Sequence, residues 1–423
     1  MGPRRVGKTV LIHHSIDRLL SEGVSASHIL YVSVDHPLYT GLGLDEFLEL
    51  YREASGTDPY KTRCYVFFDE IQYLRDWERY LKSIVDLYPS LKCVASGSAA
   101  AALRLKSVES GAGRFTDFFL PSLTFHEFLA LTDADHLVRT ERNPKTGEAE
   151  FESDDIAELN RHFLEYLNYG GYPEVALSDD IRRNRSQFIK GDIIDKVLLR
   201  DLPSLYGIHD VQELNYLFTT LAFNTANEVS LDELSKGAGI SKNTIRRYIE
   251  YLESAFLIRI VHRVDRSARR FKRANFFKVY LTNPTIRAAL FEPVDSEDQA
   301  MGSLVETAVF SQWFHSDARL HYARWNRGEV DIVLLNHEQK AAWAVEVKWS
   351  NRFIEHPGEL RSLLSFCRAQ NLPKALVTTR TRTGRLLLDN IALDFQPASL
   401  YCYRLGYNIV KGKRLTPVSV PAE

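Results

Sequence analysis

Apolar side chains recur at helical spacing just after Thr9, at Ile12, Ile16, Leu19 and Leu20, and Gly23 follows where a helix would be capped. From Ile29 to Val34 the rhythm changes to an almost unbroken apolar run. That run predicts a buried strand ending at Asp35. Cys64 to Phe68 and Lys92 to Ala95 predict two more strands of this kind. Residues 132–160 are polar and acidic and read as a solvated loop or insertion. Helical periodicity returns from Ile156 to Leu167, ending at Gly170-Gly171, and again from Asp192 to Leu202.

Between 228 and 260 the pattern is that of two helices and a turn. Ser230 and Glu233 form a capping box, Gly237 to Ile240 turn the chain, and Ser241 caps a second helix running to about Ser254. Its apolar face carries Ile245, Tyr248, Ile249 and Leu252, and Leu257-Ile258 begins a β-wing. The last third predicts a helix from Gly302 through Phe314. Strands follow at His321–Trp325, Glu329–Leu335 and Ala342–Lys348, then a helix at Glu359–Ala369 and a strand at Lys374–Thr378. Tyr401 to Val420 reads as mostly strand and tail.

Composition narrows the class. A length of 423 residues suggests about three domains. Lys and Arg number 53 against 55 Asp and Glu, a net charge of −2, so a uniformly basic nucleic-acid coat is excluded. The charge is uneven, however. From Lys242 to Lys278 there are eleven Lys/Arg and three acids, about +8. No apolar run approaches the ~18 residues of a membrane helix, and no signal peptide opens the chain. Cys64, Cys93, Cys367 and Cys402 form no CxxC pair, so reduced thiols in a cytoplasmic protein are expected.

Residues 2–9, Gly-Pro-Arg-Arg-Val-Gly-Lys-Thr, have the GxxxxGK[ST] spacing of a phosphate-binding loop. Gly2 and Gly7 would let backbone N–H groups face a phosphate, Lys8 would reach the β- and γ-phosphates, and Thr9 would hold Mg²⁺. The second strand closes on Asp69-Glu70, the Walker B pattern. Asp69 would bind Mg²⁺ through its second shell and Glu70 would polarise the attacking water. Ser98, after the third strand, is placed either to sense a γ-phosphate or simply to turn the chain. Arg114 is either an arginine finger or sensor, or a surface arginine. A P-loop is fed by a strand and almost nothing precedes Gly2, so either the start is placed late, the chain is truncated, or the edge is rebuilt some other way; a late start predicts in-frame coding sequence upstream carrying an apolar strand.

Together with Phe67-Phe-Asp-Glu-Ile-Gln72, Ser96-Gly-Ser98, Gly111-Ala-Gly-Arg114, Pro121-Ser-Leu123 and Glu127-Phe128, this loop resembles the prokaryotic AAA-type ATPases. Gly170-Gly-Tyr-Pro-Glu174 and Lys278-Val-Tyr-Leu-Thr-Asn283 resemble further motifs of that family, whose C-terminal domain has no assigned function. The resemblance implies ATP and Mg²⁺ as cofactors, a helical lid beside the nucleotide, and a homo-oligomer if Arg114 acts across subunits. It covers residues 2 to about 350, and the first strand of the family's sheet is missing from the sequence.

Two further constellations stand outside the ATPase motifs. Lys242, Arg246 and Arg247 project from the start of the second helix of the 228–260 segment, where a recognition helix would meet a groove. Arg269, Arg270, Lys272 and Arg273 interleave with aromatic residues, which suits DNA or another nucleic acid. The other reading is a winged helix used as a connector, its charge facing acidic neighbours. Further on, Glu346 and Lys348 share one face of a strand and Asp331 comes from the adjacent one. Asp331 and Glu346 would share Mg²⁺, Lys348 would orient or deprotonate water or stabilise the pentacovalent phosphate, and Glu306 would reach in from a helix. With its helix and strand order, this pattern resembles the PD-(D/E)xK nucleases.

The expected class is α/β: a P-loop NTPase parallel sheet in 1–128, a helical lid with an acidic insertion in 129–205, a winged helix in 206–285, and a mixed α/β nuclease-like domain in 286–423. Two functions fit. One is an ATPase coupled to a nucleic-acid-binding, Mg²⁺-dependent nuclease region. The other is a nucleotide-switched binding protein whose nuclease-like domain is inert.

Overall fold

Three of the apolar runs pair as a parallel sheet in the order β1 (Ile29–Ser33), β2 (Cys64–Asp69), β3 (Leu91–Ala95). The computed structural model to which they belong describes residues 1–74, 76–97, 115–142, 149–184, 186–269, 275–316 and 318–412. Ser98, Arg114, Arg270, Lys272 and Arg273 lie outside the described residues. The central strand β2 is nearly all buried, with Val66 and Phe68 in a core shared with Val32, Phe47, Leu48, Trp77, Leu81 and Ile84. Helices Leu44–Ser55 and Trp77–Leu87 supply that core, which explains the near-continuous apolar runs. Met1 O accepts a hydrogen bond from Leu120 N (2.7 Å). A Cβ on Gly2 would lie 2.1 Å from Leu120 O, so only glycine fits there.

The chain forms two compact units. Met1–Pro121 with Asp201–Gly207 and Ser254–Phe256 make the first; Ser122–Arg200, Ile208–Glu253 and the chain from Leu257 onward make the second. The segments expected as lid, winged helix and nuclease-like domain thus fall mostly into one unit. The reason is a shared sheet. β4 (Arg139–Arg142) and β5 (Ala149–Glu152) form a separate hairpin. β6 (Glu228–Ser230), β7 (Ile258–Val264) and β8 (Phe276–Leu281) join β9 (Leu320–Trp325), β10 (Gly328–Leu335), β11 (Ala341–Glu346), β12 (Lys374–Thr379), β13 (Gly384–Leu388) and β14 (Ile391–Pro397). The order is β13-β14-β12-β11-β10-β9-β7-β8-β6, with β7 hydrogen-bonded in parallel to β9. The boundary expected at 285/286 is therefore bridged by backbone hydrogen bonds.

Other differences have local causes. The acidic insertion is not simply a loop: Phe151 on β5 is buried against Tyr403 and Tyr407, which fixes the β4–β5 hairpin. Tyr401 to Val410 is not strand but part of helix Ala398–Val410, and the rest of the expected segment from residue 413 lies outside the described residues. Its aromatic-rich sequence suggests a strand, yet Ala398, Leu400, Tyr401, Cys402, Tyr403 and Leu405 are all buried. A helix enclosed on most sides loses the one-faced pattern that would reveal it.

The two family-like motifs without assigned chemistry meet each other. Gly171 N–H donates to Thr285 Oγ1 (3.0 Å), and Thr285 N–H donates to Asn283 Oδ1 (2.8 Å). A Cβ on Gly171 would fall about 2.1 Å from the Asn283 amide, so this glycine is required by close approach. Gly171 O in turn accepts from Leu123 N (3.1 Å).

Candidate functional site

The first site is assembled at the C-terminal end of β2 and the start of helix Lys8–Ser21. Gly7 caps that helix at φ 95°, a left-handed conformation that favours glycine. Lys8 is only 8% exposed. Its Nζ donates to the carbonyls of Gly2 (3.1 Å) and Pro3 (2.5 Å). Burial pushes its pKa down to about 8, opposed by Glu70 and Asp69. Thr9 Oγ1 donates to Asp69 Oδ2 at 2.6 Å, and Tyr31 OH to the same oxygen at 3.3 Å. Asp69 Oδ1 accepts from Ser96 Oγ and from Glu70 N–H (3.2 Å). Glu70 sits at φ 55°, and its Oε2 accepts from Gln72 Nε2 (2.5 Å).

The structure thus brings Lys8, Thr9, Asp69 and Glu70 into one constellation. Two of its members were not legible in the sequence. Ser96 is a serine on Asp69, and Ser98 lies outside the described residues. Arg4, a variable position of the loop, forms a fork with Asp201: Nε to Oδ2 and Nη2 to Oδ1 are both 3.0 Å. Asp201 lies 197 residues downstream, and no motif marks it. The donor set fits a nucleotide triphosphate with Mg²⁺. Lys8 is a desolvated ammonium whose hydrogen-bond acceptors among the described residues are neutral carbonyls. Thr9 and Asp69 present the oxygen ligands that Mg²⁺ prefers.

The second constellation lies in the other unit. Strand alternation places Lys278 and Tyr280 on one face of β8, against helix Met301–Trp313. Glu306 on that helix accepts from Lys278 Nζ (2.8 Å) and Tyr280 OH (2.6 Å), both on Oε1. Lys278 Nζ also lies 2.7 Å from Glu329 Oε1 and 3.7 Å from Asp331 Oδ1. β10 shifts register against β9 between Val330 and Val333, and such a bulge re-aims the side chain it contains, here Asp331. Asp331 Oδ2 accepts from Val347 N (2.8 Å) and Lys348 Nζ (3.3 Å), and Lys348 Nζ reaches Glu346 Oε1 at 2.8 Å.

Burial pushes Glu306 and Glu346 up to about 7, with Asp331 adding to both shifts. Burial acts the same way on Asp331, but Lys348, Lys278 and the Val347 N–H hold it below its usual range. Sequence reasoning brought Glu306, Asp331, Glu346 and Lys348 together, and so does the structure. It missed that Lys278 stands among them. The expected Mg²⁺ shared by Asp331 and Glu346 does not fit this arrangement. Both Asp331 oxygens face cationic or N–H donors, and among the described residues no group of three or more acids, histidines or cysteines is arranged to hold a metal ion.

The basic segment is less free than its charge count suggests. Lys278 is buried. Lys242 pairs with Asp232, Arg259 with Glu253 (3.8 Å) and Arg263 with Glu228 (3.7 Å). Arg246, Arg247, Arg266 and Arg269 are exposed.

Comparison with known proteins bears on both units. Residues 1–129 match the family model described as an AAA domain, and residues 160–297 match one described as a domain of unknown function (DUF8612). An uncharacterized protein of Methanocaldococcus jannaschii is 24% identical over 348 residues, covering 80% of this chain and 72% of the relative. An uncharacterized protein of Haemophilus influenzae is 23% identical over 383 residues, covering 89% and 87%. These similarities support an AAA-type P-loop module at the N-terminus. No helix among the described residues is long and apolar enough to cross a membrane.

Proposed function

We propose that this protein is an ATP-hydrolysing switch, with an AAA-type P-loop unit that binds ATP and Mg²⁺ and a second unit that recognises a partner. The observation that carries this reading is the buried Lys8 ammonium, whose hydrogen-bond acceptors among the described residues are neutral carbonyls, next to the Thr9–Asp69 pair. Exchanging those carbonyls for phosphate oxygens gives the ammonium anionic partners at little further desolvation cost. Thr9 and Asp69 would hold Mg²⁺, which when bound neutralises charge on the transferring phosphoryl group. Asp69 accepts hydrogen bonds from four donors, and Glu70 next to it is the carboxylate placed to orient and deprotonate the attacking water. Gln72 fixes the Glu70 carboxylate from its own turn.

The test pairs ATP binding with turnover. Lys8→Ala should lose binding of a fluorescent ATP analogue. Glu70→Gln should still bind it but hydrolyse ATP about 10²–10⁴-fold more slowly. Normal turnover in both variants would overturn the reading.

For the second unit, the helix pair Leu231–Ala238 and Lys242–Ser254 followed by the β7–β8 hairpin supports a winged-helix reading, and exposed Arg246 and Arg247 favour nucleic acid as the partner. ATP turnover measured with and without DNA checks the coupling. Of the two readings of the nuclease-like segment, the Lys278 contacts favour the inert one.

A further inference from the structure

The second site contains an ammonium where a carboxylate cluster of this kind would take a metal ion. β8 is separated from β10 by β7 and β9, yet the Lys278 side chain reaches across, passing 5.5 Å from the Tyr322 ring on β9. It ends with Glu306, Glu329 and Asp331 around one nitrogen, at 2.8, 2.7 and 3.7 Å. The two shorter contacts are lengths of charge-assisted N–H···O bonds, longer than metal–oxygen bonds. Its course is supported by packing: Tyr280, on the same face of β8, stacks on Phe310 at 3.9 Å, one helical turn beyond Glu306. Lys278 is 3% exposed, so its charge is placed inside the unit and not displayed.

We propose that Lys278 is a built-in cation occupying the position of a divalent metal, so that the cluster of Glu306, Glu329, Asp331 and Glu346 is held together without one. This goes beyond the inert-domain reading, because it names the residue that makes the site inert and states what its removal creates. With both lysines present, four carboxylates face two ammonium groups and, at Glu329, the Arg324 guanidinium (2.9 Å). Without Lys278 the same four keep only Lys348, beside Asp331 and Glu346, and Arg324, beside Glu329, and Glu346 Oε2, buried and without a hydrogen-bond partner among the described residues, is left as a ligand. The excess negative charge and hard oxygen donors then suit Mn²⁺ or Mg²⁺.

The experiment uses full-length, nucleotide-free protein carrying Lys8→Ala, so that the P-loop does not contribute and a failure of the ATPase reading leaves the result interpretable. Mn²⁺ binding is followed by calorimetry, and thermal unfolding is recorded with and without Mn²⁺. The parent protein should bind no Mn²⁺ that depends on Asp331 and should show no Mn²⁺-dependent shift of Tm. Lys278→Met should have a lower Tm that Mn²⁺ raises, with one ion bound per chain and none after Asp331→Asn is added. Lys278→Arg, which keeps the charge, should remain metal-free. Mn²⁺ binding by the parent that Asp331→Asn abolishes would overturn the proposal, as would a folded Lys278→Met protein that takes none. Should Lys278→Met be unfolded without metal, recovery of its unfolding transition on adding Mn²⁺ supports the proposal, and no recovery counts against it.

Discussion

At the scale of single residues, Asp69 shows why a motif is more than its letters. Its carboxylate accepts from Thr9, Tyr31, Ser96 and the Glu70 N–H, and together these donors fix its orientation. Thr9 and Asp69 are legible from their motifs. Ser96 is not, because serine after a strand is ordinary turn chemistry and only the register of β2 against β3 brings it to Asp69. Ser96→Ala should therefore lower kcat for ATP several-fold with KM little changed, as measured by steady-state kinetics; an unchanged kcat would limit Ser96 to a turn role. Arg4 and Asp201 make the same point over a longer distance. A side chain at a variable loop position gains a partly buried fork with a residue that no local pattern could select.

At the scale of elements, His315 ties the end of helix Met301–Trp313 to another segment of its unit: its Nε2 donates to Ser122 O at 2.8 Å. Burial pushes its pKa below the ordinary histidine value, opposed by Glu127. A depressed folded-state pKa means that the unfolded chain binds the proton first. This contribution is full above about pH 6.5 and is lost as pH falls through that value toward the lower folded-state pKa. The His315 contribution to Tm should therefore fall on going from pH 7.5 to 5.5, against the opposite contribution of the raised Glu306 and Glu346 carboxyls, and His315→Gln should lose less Tm, or gain more, over that range in scanning calorimetry; an equal slope in the variant would remove His315 from the pH dependence. Elements of clear period were legible. β1, β2 and β3 fall within a residue of their expected bounds, and helix Ile156–Tyr169 begins where periodicity places it. β13, β14 and helix Ala398–Val410 were missed. β13 is a half-exposed edge strand and the helix is buried on most sides, so neither carries the amphipathic signal from which elements are read.

At the scale of the whole molecule, the near-zero net charge hides an uneven distribution, and folding redistributes it again. The segment of about +8 delivers Lys278 to a buried carboxylate cluster and pairs Lys242, Arg259 and Arg263 with acids, while Arg246, Arg247, Arg266 and Arg269 stay exposed. If Arg246 and Arg247 contact phosphates, replacing both with Glu should weaken duplex binding and reduce the slope of log K against log salt by about two. Fluorescence anisotropy over a salt series measures this, and an unchanged slope would remove these arginines from any nucleic-acid surface.

The sequence alone determined the GxxxxGK[ST] spacing of residues 2–9, the acidic pair that ends β2, and Asp331, Glu346 and Lys348 of the second cluster, but not its Glu329 or Lys278. These are set by spacing within a loop or by the two-residue period of a strand, which are local properties of the chain. Only the tertiary structure decided that β7 and β8 extend the C-terminal sheet, that Asp201 holds Arg4, and that Lys278 crosses two strands to neutralise Glu306, Glu329 and Asp331. Each depends on segments far apart in sequence whose side chains meet because burying a charge demands a partner, and where that partner comes from is written in the packing and not in any local pattern.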